Sequence, residues 1–331
     1  MASLRASLKG GRANGKIRTA VVGVGYLGRF HAEKYAGMQD VDLIGVADTD
    51  IPQGRRIAAQ FGTRFFRDHQ ELIGMVDAVS IVVPTQHHYE VSRDFLNAGV
   101  DLLIEKPITA NLNEAENLIS LADEKGCIIQ VGHLERFNPA VRALDGLIHN
   151  PRFIESHRLS VFKDRGTDVS VVLDLMIHDI DIILNFVRSA VRTIHAAGIS
   201  VVSSHVDIAN ARLEFANGCV ANVTASRISA KNERKIRLFQ KEAYISVDFA
   251  NRGITIVRPD LNNANGVIPG MALEQHAFNQ GDALDAELRA FVGSVRQRSL
   301  PEVTGQMGRD ALRIALDIMD QIQHGNGQTV V

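Results

Sequence analysis

Apolar and polar positions follow two different rhythms along the chain, and the change falls near residue 150. Before it, short apolar runs predict β-strands at residues 17–25, 41–48, 77–83, 102–105 and 127–131. Segments with helical spacing lie between or after these strands, at residues 27–38, 86–98 and 114–124. Alternation of strands and helices indicates a doubly wound parallel sheet with helices on both faces, which is a Rossmann-type fold.

After residue 150 a different pattern begins, with one helix predicted over residues 172–187. Strands are predicted at residues 193–200, 207–215, 219–226, 236–239, 244–249 and 254–257. Asn217 and Gly218 supply the tight turn of a hairpin between two of these strands, so we expect a mostly antiparallel open sheet. Residues 258–281 are expected to form a long loop, and two helices at 282–296 and 306–322 close the chain.

These patterns predict an α/β domain followed by an α+β domain. We expect a disordered tail at residues 1–16, a dinucleotide-binding domain at 17–138 and a substrate and oligomerisation domain at 139–331. The last helices are able to pack back on the first domain.

Composition excludes several classes of function. The formal net charge is −2 with 22% charged residues, so the basic excess of a nucleic-acid-binding protein is absent. No stretch approaches the roughly 20 apolar residues of a bilayer span. Residues 1–16 lack the apolar core of a secretory signal, and two distant cysteines indicate no disulfide scaffold, so we expect a cytoplasmic protein.

The sequence GVGYLG at residues 23–28 follows a predicted strand and opens a predicted helix. In that context GxGxxG predicts a dinucleotide site, because Gly23 allows a tight turn, Gly25 admits the pyrophosphate and Gly28 lets the helix pack closely. The pyrophosphate would then meet the positive end of the helix. The alternative is a glycine-rich turn that binds no ligand.

Asp48 ends the second predicted strand, twenty residues after Gly28. A carboxylate there accepts hydrogen bonds from ribose hydroxyls and repels a 2′-phosphate, so NAD is the predicted cofactor. Two alternatives stay open, since Asp48 could instead cap the next helix, and Arg55 with Arg56 keeps NADP possible. Pro84 and Thr85 follow another strand and are placed at the same edge of the sheet, although Pro84 could be only a turn residue.

Glu105, Lys106 and Pro107 end a further strand. A lysine beside a dinucleotide can hydrogen-bond the reacting hydroxyl and stabilise a developing alkoxide. The alternative is a surface lysine paired with Glu105.

Asp174 and His178 are four residues apart on a predicted helix, which places them on one face. The carboxylate can then orient the imidazole, which takes a proton as hydride leaves the substrate. A metal site and an ordinary core histidine are the alternatives. We expect no metal, because no closed ligand set is visible.

GVGYLG, the strand-ending Asp48, EKP at 105–107 and D-x-x-x-H at 174–178 occur together in this order. The combination resembles the glucose–fructose oxidoreductase and inositol dehydrogenase (Gfo/Idh/MocA) family, from about residue 17 to the C-terminal helices, where residues 301–305 also look similar. The resemblance implies that Lys106, Asp174 and His178 form the catalytic group. Many members have a glycine-rich run before the aspartate, whereas this chain has Asp168-Val-Ser-Val-Val.

Two segments resemble one group of enzymes within this family. Residues 132–139 and 175–181 are similar to UDP-N-acetylglucosamine 3-dehydrogenases, which implies a nucleotide-sugar substrate oxidised at its 3-hydroxyl for lipid A synthesis. Basic residues fit such a diphosphate and include Arg227, Lys231, Arg234, Lys235 and Arg237. A solvated basic face or an oligomer contact explains this segment equally well.

The predicted contacts divide between the two ligands. For the cofactor they are Gly23, Gly25, Tyr26, Leu27, Gly28, Asp48, Pro84, Thr85, His88, Glu105 and Lys106. For the substrate they are Arg136, Asn138, Lys163, Arg165, His178, Arg227 and Arg237.

A downstream aminotransferase is the expected functional partner, and the chain is expected to form a homodimer or homotetramer through its C-terminal sheet. Alternative functions are an inositol or simple sugar dehydrogenase and a dinucleotide-binding regulator without turnover.

Overall fold

The computed structural model describes residues 15–162, 169–263, 268–278 and 281–326. The chain divides into two compact units, which we call the first and second units. The first unit contains the described residues through Leu134 together with Asp282–Asp310. The second unit contains Glu135–Gly281 and the described residues from Ala311 onward.

The sheet of the first unit is built from strands β1 (Ile17–Val22), β2 (Val41–Ala47), β3 (Arg64–Phe66), β4 (Ala78–Ile81), β5 (Asp101–Glu105) and β6 (Ile129–Gly132). All its strands are parallel, in the order β3-β2-β1-β4-β5-β6. The order reverses between β1 and β4, and ligands of open α/β sheets bind at the carboxyl ends of strands at such a switch point. The prediction of a doubly wound parallel sheet is confirmed.

The sheet of the second unit is built from β7 (Phe153–Leu159), β8 (Val191–Ile199), β9 (Ile208–Phe215), β10 (Val220–Ser226), β11 (Glu233–Gln240), β12 (Ala243–Asp248), β13 (Gly253–Pro259) and β14 (Met271–Ala277). Its order is β14-β13-β12-β11-β7-β10-β9-β8. Only the β7–β10 pair among these described strands is parallel, which confirms the predicted mostly antiparallel sheet.

The α-helices are α1 (Gly28–Gly37), α2 (Ile51–Gln60), α3 (His88–Asn97), α4 (Leu112–Lys125), α5 (Pro139–Arg142), α6 (Ile177–Val187), α7 (Ala283–Gln297) and α8 (Gly305–Asn326). Several begin with a side-chain cap, as in α4, where the Asn111 side chain accepts from the backbone N–H of Glu114 at 3.0 Å. Gly126 ends the same helix in the left-handed conformation. No helix in the described ranges has the length and apolar character needed to cross a membrane.

Each unit has its own apolar core. In the first unit, fully buried residues from β1, α1 and α7 pack together, among them Val21, Tyr35 and Phe291. In the second, α6 packs against β7 and β10, and its residues Ile180 and Ile183 are fully buried.

The structure adds elements that the sequence pattern did not predict. Helix α2 and strands β3 and β7 were not anticipated, and residues 258–281, expected to be a loop, contain β14. The predicted helix over residues 172–187 divides into a π-helical turn at Val172–Met176 followed by α6.

Candidate active site

The glycine loop between β1 and α1 requires glycine at two positions for close packing. Gly23 has φ +85°, and a Cβ there would lie 2.6 Å from the carbonyl oxygen of Val82. A Cβ on Gly28 would lie 1.8 Å from the carbonyl oxygen of Gly23. Gly25 differs, because a Cβ there would meet no protein atom within 4 Å. The loop therefore has one open side where an external group can approach the backbone, as a bound pyrophosphate requires.

The N-terminus of α1 suits an anion as well. Leu27 stands at the N-cap, no side chain among the described residues caps the helix, and its first turn contains no acid. Tyr26 beside it is 61% exposed, and the guanidinium carbon of Arg29 lies 5.2 Å from the centroid of its ring. Partial positive charge and a nearby guanidinium fit the phosphates of a dinucleotide.

Asp48 ties the glycine loop to the end of β2. Its Oδ2 accepts a hydrogen bond from the backbone N–H of Val24 at 2.7 Å, and its Oδ1 accepts from that of Asp50 at 2.8 Å. The alternative that Asp48 caps α2 is not what the structure shows, since Asp50 occupies the N-cap. Each carboxylate oxygen retains acceptor capacity, so the geometry is compatible with ribose recognition.

A cleft of about 1120 Å³ opens at this edge of the first sheet. Gly23, Gly25, Asp48 and Pro84 line it, as the cofactor prediction requires. Thr85 lies half-buried at the start of a short 3₁₀ turn, Thr85–His87. These observations fit a bound NAD, although the individual contacts stay predictions.

The sequence reasoning missed other residues of this cleft, including Thr49, Arg67, His87 and Glu90. They lie in loops or at helix starts, where no local motif identifies them. Their position is visible only once the strands are assembled.

His88, which is a predicted cofactor contact, is not among the residues that line this cleft. It is 1% exposed, and its ring nitrogens lie 2.9 Å from the carbonyl oxygens of Pro107 and Val83. Burial lowers the pKa of His88 and outweighs these carbonyl contacts, which raise it. The exposed residue that lines the cleft is its neighbour His87, because the helix turn directs the two side chains differently.

Lys106 follows the carboxyl end of β5 and is half-buried. Its backbone N–H donates to Oε2 of Glu105 at 3.3 Å, and the Lys106–Pro107 peptide bond is cis. Glu105 is 9% exposed and its Oε1 lies 3.3 Å from Nε2 of His31. The carboxylate therefore sits beside the lysine backbone and faces a buried histidine.

Asp174 and His178 belong to the second unit. Asp174 lies within the π-helical turn and His178 in the first turn of α6, and both side chains are half-buried. The backbone N–H of Asp174 donates to the carbonyl oxygen of Ser170 at 3.0 Å. Isolated π turns inside helices are frequent at functional sites.

A buried ion network lies next to His178 in sequence. The guanidinium of Arg158, on β7, donates to Asp179 through Nε at 2.7 Å and Nη2 at 3.1 Å. Its Nη1 donates to Oε1 of Glu135 at 2.9 Å. Burial raises the pKa of Glu135, but the charge and hydrogen bond of Arg158 outweigh it and the net pKa is lowered.

Two predicted substrate residues have partners in this unit. Nη1 of Arg136 lies 3.6 Å from Oδ1 of Asp181, which is 3% exposed. Asn138 caps α5, because its Oδ1 accepts from the backbone N–H of Ala140 at 3.0 Å. The Arg136 side chain is 10% exposed beside this carboxylate and its contact with a substrate stays a prediction, whereas Asn138 has a structural function.

The basic segment does not form one cluster. Arg227 is 5% exposed, and its Nη2 donates to the carbonyl oxygen of Val169 at 2.6 Å. Arg237 instead pairs with Glu155 across β11 and β7, with Nη1 and Oε2 3.3 Å apart. Arg227 and Arg237, both predicted to bind the diphosphate, therefore have different surroundings, and their contact with the substrate stays a prediction. A count of charges along the sequence does not reveal which ones are buried.

Lys163 and Arg165 lie outside the described residues. Within the ranges that the structure describes, no group of three or more His, Cys, Asp or Glu side chains is placed to hold a metal ion.

Comparison with known proteins agrees with this arrangement. Residues 17–133 match the family model of the GFO/IDH/MocA oxidoreductases, described as an NAD-binding Rossmann fold, and residues 140–246 match their C-terminal domain. The cofactor class is therefore NAD, as predicted.

Individual relatives cover nearly the whole chain. UDP-N-acetylglucosamine 3-dehydrogenase of Acidithiobacillus ferrooxidans is 38% identical over 91% of this chain and 96% of its own length. Its crystal structure has a TM-score of 0.89 and 37% identity, covering 93% of this chain and 98% of that one. The scyllo-inositol 2-dehydrogenase (NAD(+)) of Bacillus subtilis is 25% identical over 94% of this chain and 95% of its own length. This chain belongs to the GFO/IDH/MocA family of NAD-binding oxidoreductases.

Proposed function

We propose that this protein oxidises the 3-hydroxyl of UDP-N-acetylglucosamine to a ketone, using NAD. The observation that carries the proposal is the 38% identity, over 91% of the chain, to a relative named UDP-N-acetylglucosamine 3-dehydrogenase. The half-buried Lys106 and His178 support it, because an alcohol dehydrogenase needs both a group for the alkoxide and a proton acceptor.

When bound, NAD supplies the acceptor for the hydride that leaves the sugar carbon. His178 takes the proton of the hydroxyl, and Asp174 orients its ring. The ammonium of Lys106 hydrogen-bonds the same oxygen and stabilises the negative charge that develops as the proton leaves. One proton and one hydride leave the alcohol, so the product is a ketone.

We assign the diphosphate to exposed cations of the second unit rather than to Arg227. The side chains of Lys231 and Arg234 are 70% and 55% exposed. Nη1 of Arg234 lies 3.8 Å from Oε1 of Glu135, which precedes Arg136 in the sequence. Cations that solvent reaches can exchange water for phosphate oxygens at low desolvation cost. Lys163 and Arg165 stay predicted contacts of the same ligand.

The test compares UDP-N-acetylglucosamine, free N-acetylglucosamine and myo-inositol, each with NAD, by following NADH absorbance. The UDP-sugar should have a kcat/KM orders of magnitude above the others, because binding energy from the diphosphate holds the sugar in place. Arg234→Glu should weaken the UDP-sugar reaction and leave NAD binding unchanged.

Two other results would replace the proposal. Equal turnover of myo-inositol would favour an inositol dehydrogenase, which the Bacillus subtilis relative makes the second candidate. No turnover of any sugar, with NAD bound, would favour a regulator.

We further propose a cytoplasmic place in the synthesis of an amino sugar for lipid A. A ketone next to an acetamido group is a substrate for an aminotransferase, which would replace the carbonyl by an amine. The purified 3-keto product should therefore be consumed when an aminotransferase and an amino donor are added.

We also propose a homodimer or homotetramer formed through the second sheet. Three aromatic rings lie together there, with centroids 5.7 Å apart for Phe153–Phe239 and 5.0 Å apart for Phe239–Tyr244. Phe239 is 36% exposed although it lies within a strand. Sedimentation velocity of Phe239→Glu should show dissociation, whereas Leu261→Glu, at a 93% exposed turn residue, should not.

A further inference from the structure

We propose that two buried histidines, His31 and His88, are positioning residues that hold Lys106 from its two sides. The inference rests on the proposed role of Lys106 in the reaction. His31 acts on the residue before the lysine and His88 on the residue after it. Neither histidine lines the cofactor cleft.

His31 acts through Glu105. It is fully buried on α1, the helix that follows the glycine loop, and its Nε2 lies 3.3 Å from Oε1 of Glu105. The other oxygen of that carboxylate accepts from the backbone N–H of Lys106 at 3.3 Å. Neither ring nitrogen of His31 has a hydrogen-bond partner among the described residues, so the ring acts on the lysine backbone by its proximity to this carboxylate.

Gly132 shows that the position of this carboxylate is built into the sheet. It pairs with Glu105 across β5 and β6, and a Cβ on Gly132 would lie 2.7 Å from Oε1 of Glu105. A side chain at position 132 would therefore require the Glu105 carboxylate to move, and the glycine leaves room for it beside His31.

His88 acts on the other side of Lys106. Its Nδ1 lies 2.9 Å from the carbonyl oxygen of Pro107, and its Nε2 lies 2.9 Å from that of Val83. The ring therefore lies between the segment after β5 and the segment that leads into Pro84, and in its neutral form it donates to one of the two carbonyl oxygens. With 1% exposure, it has no access to solvent that would loosen these contacts.

The two ring nitrogens allow a paired test. Asparagine places an amide N–H₂ near the position of Nδ1, and glutamine places one near Nε2. His88→Asn therefore retains the contact to Pro107, and His88→Gln retains the contact to Val83. If the ring positions Lys106, asparagine should preserve function better than glutamine.

The first measurement needs no substrate. Lysine acetylation by acetic anhydride, read by mass spectrometry, compares Lys106 with the exposed Lys231 in each NAD-bound variant. Lys106 labelling should rise in His88→Gln and in Gly132→Ala, and stay near wild type in His88→Asn and in the control His324→Gln, whose side chain is 77% exposed. Unchanged labelling in both His88→Gln and Gly132→Ala would overturn the proposal.

The second measurement uses steady-state kinetics with UDP-N-acetylglucosamine. His88→Gln should lower kcat by about 10- to 100-fold, the cost of a small misplacement of a reacting group, with little change in KM for NAD. In a Lys106→Ala background the same substitution should have little further effect, because its target is gone. Equal losses in both backgrounds would assign His88 a general structural role.

The labelling and the kinetic measurements distinguish a failure of this inference from a failure of the proposed function. Wild-type turnover in Lys106→Ala, or no turnover of the UDP-sugar, would count against the proposed function. The labelling result would still decide whether His88 and the Glu105 carboxylate hold Lys106. Thermal melts identify variants that fail to fold, and the asparagine variant then supplies the comparison.

Discussion

Lys106 in the first unit and His178 in the second are held by different kinds of interaction. Lys106 follows a strand whose register is set by hydrogen bonds to strands on both sides. Its backbone N–H donates to Glu105, which faces His31, and the carbonyl oxygen of the next residue, Pro107, contacts His88. His178 lies on a helix, and the neighbouring side chain Asp179 forms a buried ion pair with Arg158.

The geometry of the two elements explains the difference. When a strand is paired on both sides, the position of its end is fixed. The side chains near Lys106 therefore need to change the position of the lysine only slightly. A helix packed on a sheet can shift or rotate within the packing tolerance of its apolar face. The bidentate contact from β7 to Asp179 removes this freedom for α6, and therefore for His178.

The largest effect is expected when the ion pair between Arg158 and Asp179 is removed. Arg158→Met would leave the buried Asp179 without its cation and Glu135 with only Arg234 nearby among the described cations, which should reduce the free energy of unfolding by about 3–5 kcal/mol. Urea unfolding measures this loss. Arg212→Met is the matched control, because its pair with Glu214 is more than 40% exposed on both sides and should contribute about 0–1 kcal/mol. Equal losses in the two variants would remove the claimed distinction.

The next largest effect concerns Lys106 and His178, the two residues proposed to act in the reaction. Lys106→Ala and His178→Ala should each lower kcat by about 10²-fold or more, as expected for loss of an electrostatic or acid–base group. NAD affinity, measured by titration, should barely change in either variant. A near-wild-type rate in either variant would remove that residue from the proposed reaction.

A smaller effect is expected from removing a hydrogen bond between two neutral side chains of the first unit. The hydroxyls of Tyr35 and Ser80 are 2.9 Å apart and fully buried. Tyr35→Phe should cost about 1–2 kcal/mol of unfolding free energy, because it strands a buried hydroxyl. Adding Ser80→Ala should cost less than the sum of the single changes. Additive losses would show that the two hydroxyls do not stabilise each other.

Prediction from the sequence also succeeded to a different extent in the two units. GVGYLG, Asp48 and Lys106 directly follow the apolar strands β1, β2 and β5, so local patterns could place them at strand ends. Strand β7 was missed because its buried positions alternate Ile154, Ser156 and Arg158, and two of these are polar. Strand β14 was missed because most of its residues are exposed and no alternation marks it.

Long-range polar contacts were beyond local reasoning. Arg158 and Asp179 are 21 residues apart, and nothing in either segment identifies its partner. The burial of Arg227 likewise depends on Val169 and Asp207, which lie in other loops. The GFO/IDH/MocA resemblance was confirmed, whereas the individual site contacts stay predictions.

A modest effect is expected at the cofactor end of the first unit. Asp48→Asn keeps an acceptor for the glycine loop but removes the charge. NAD affinity should fall about tenfold, which corresponds to roughly one hydrogen bond to a charged group. NADP should gain relative to NAD, because the repulsion of its 2′-phosphate is reduced. Kinetic discrimination between the cofactors measures this, and a wild-type preference for NADP would contradict the assignment.

The smallest effect is a difference in acid sensitivity between the two units. In the first, burial lowers the pKa of His88 below its ordinary value of 6.5, despite the opposing carbonyls and the charge of Glu105. Between these two pKa values the unfolded chain binds more protons than the folded one. Stability from the neutral ring is therefore complete above about pH 6.5 and is lost as pH falls below it.

In the second unit, the Glu135 carboxylate that pairs with Arg158 has a pKa in a lower pH range. Arg158 holds the pKa of Glu135 below its ordinary 4.5, so the stability it contributes is present above that value and lost only as pH falls further. Lowering the pH from 7.5 to about 5.5 should therefore weaken the protein through His88 and not through Glu135. Urea unfolding at both pH values should show a smaller decrease for His88→Gln than for wild type, because glutamine does not titrate. The control His324→Gln should keep the wild-type decrease, since that side chain is exposed. An identical decrease in His88→Gln would show that the buried ring is not the acid-sensitive group of the first unit.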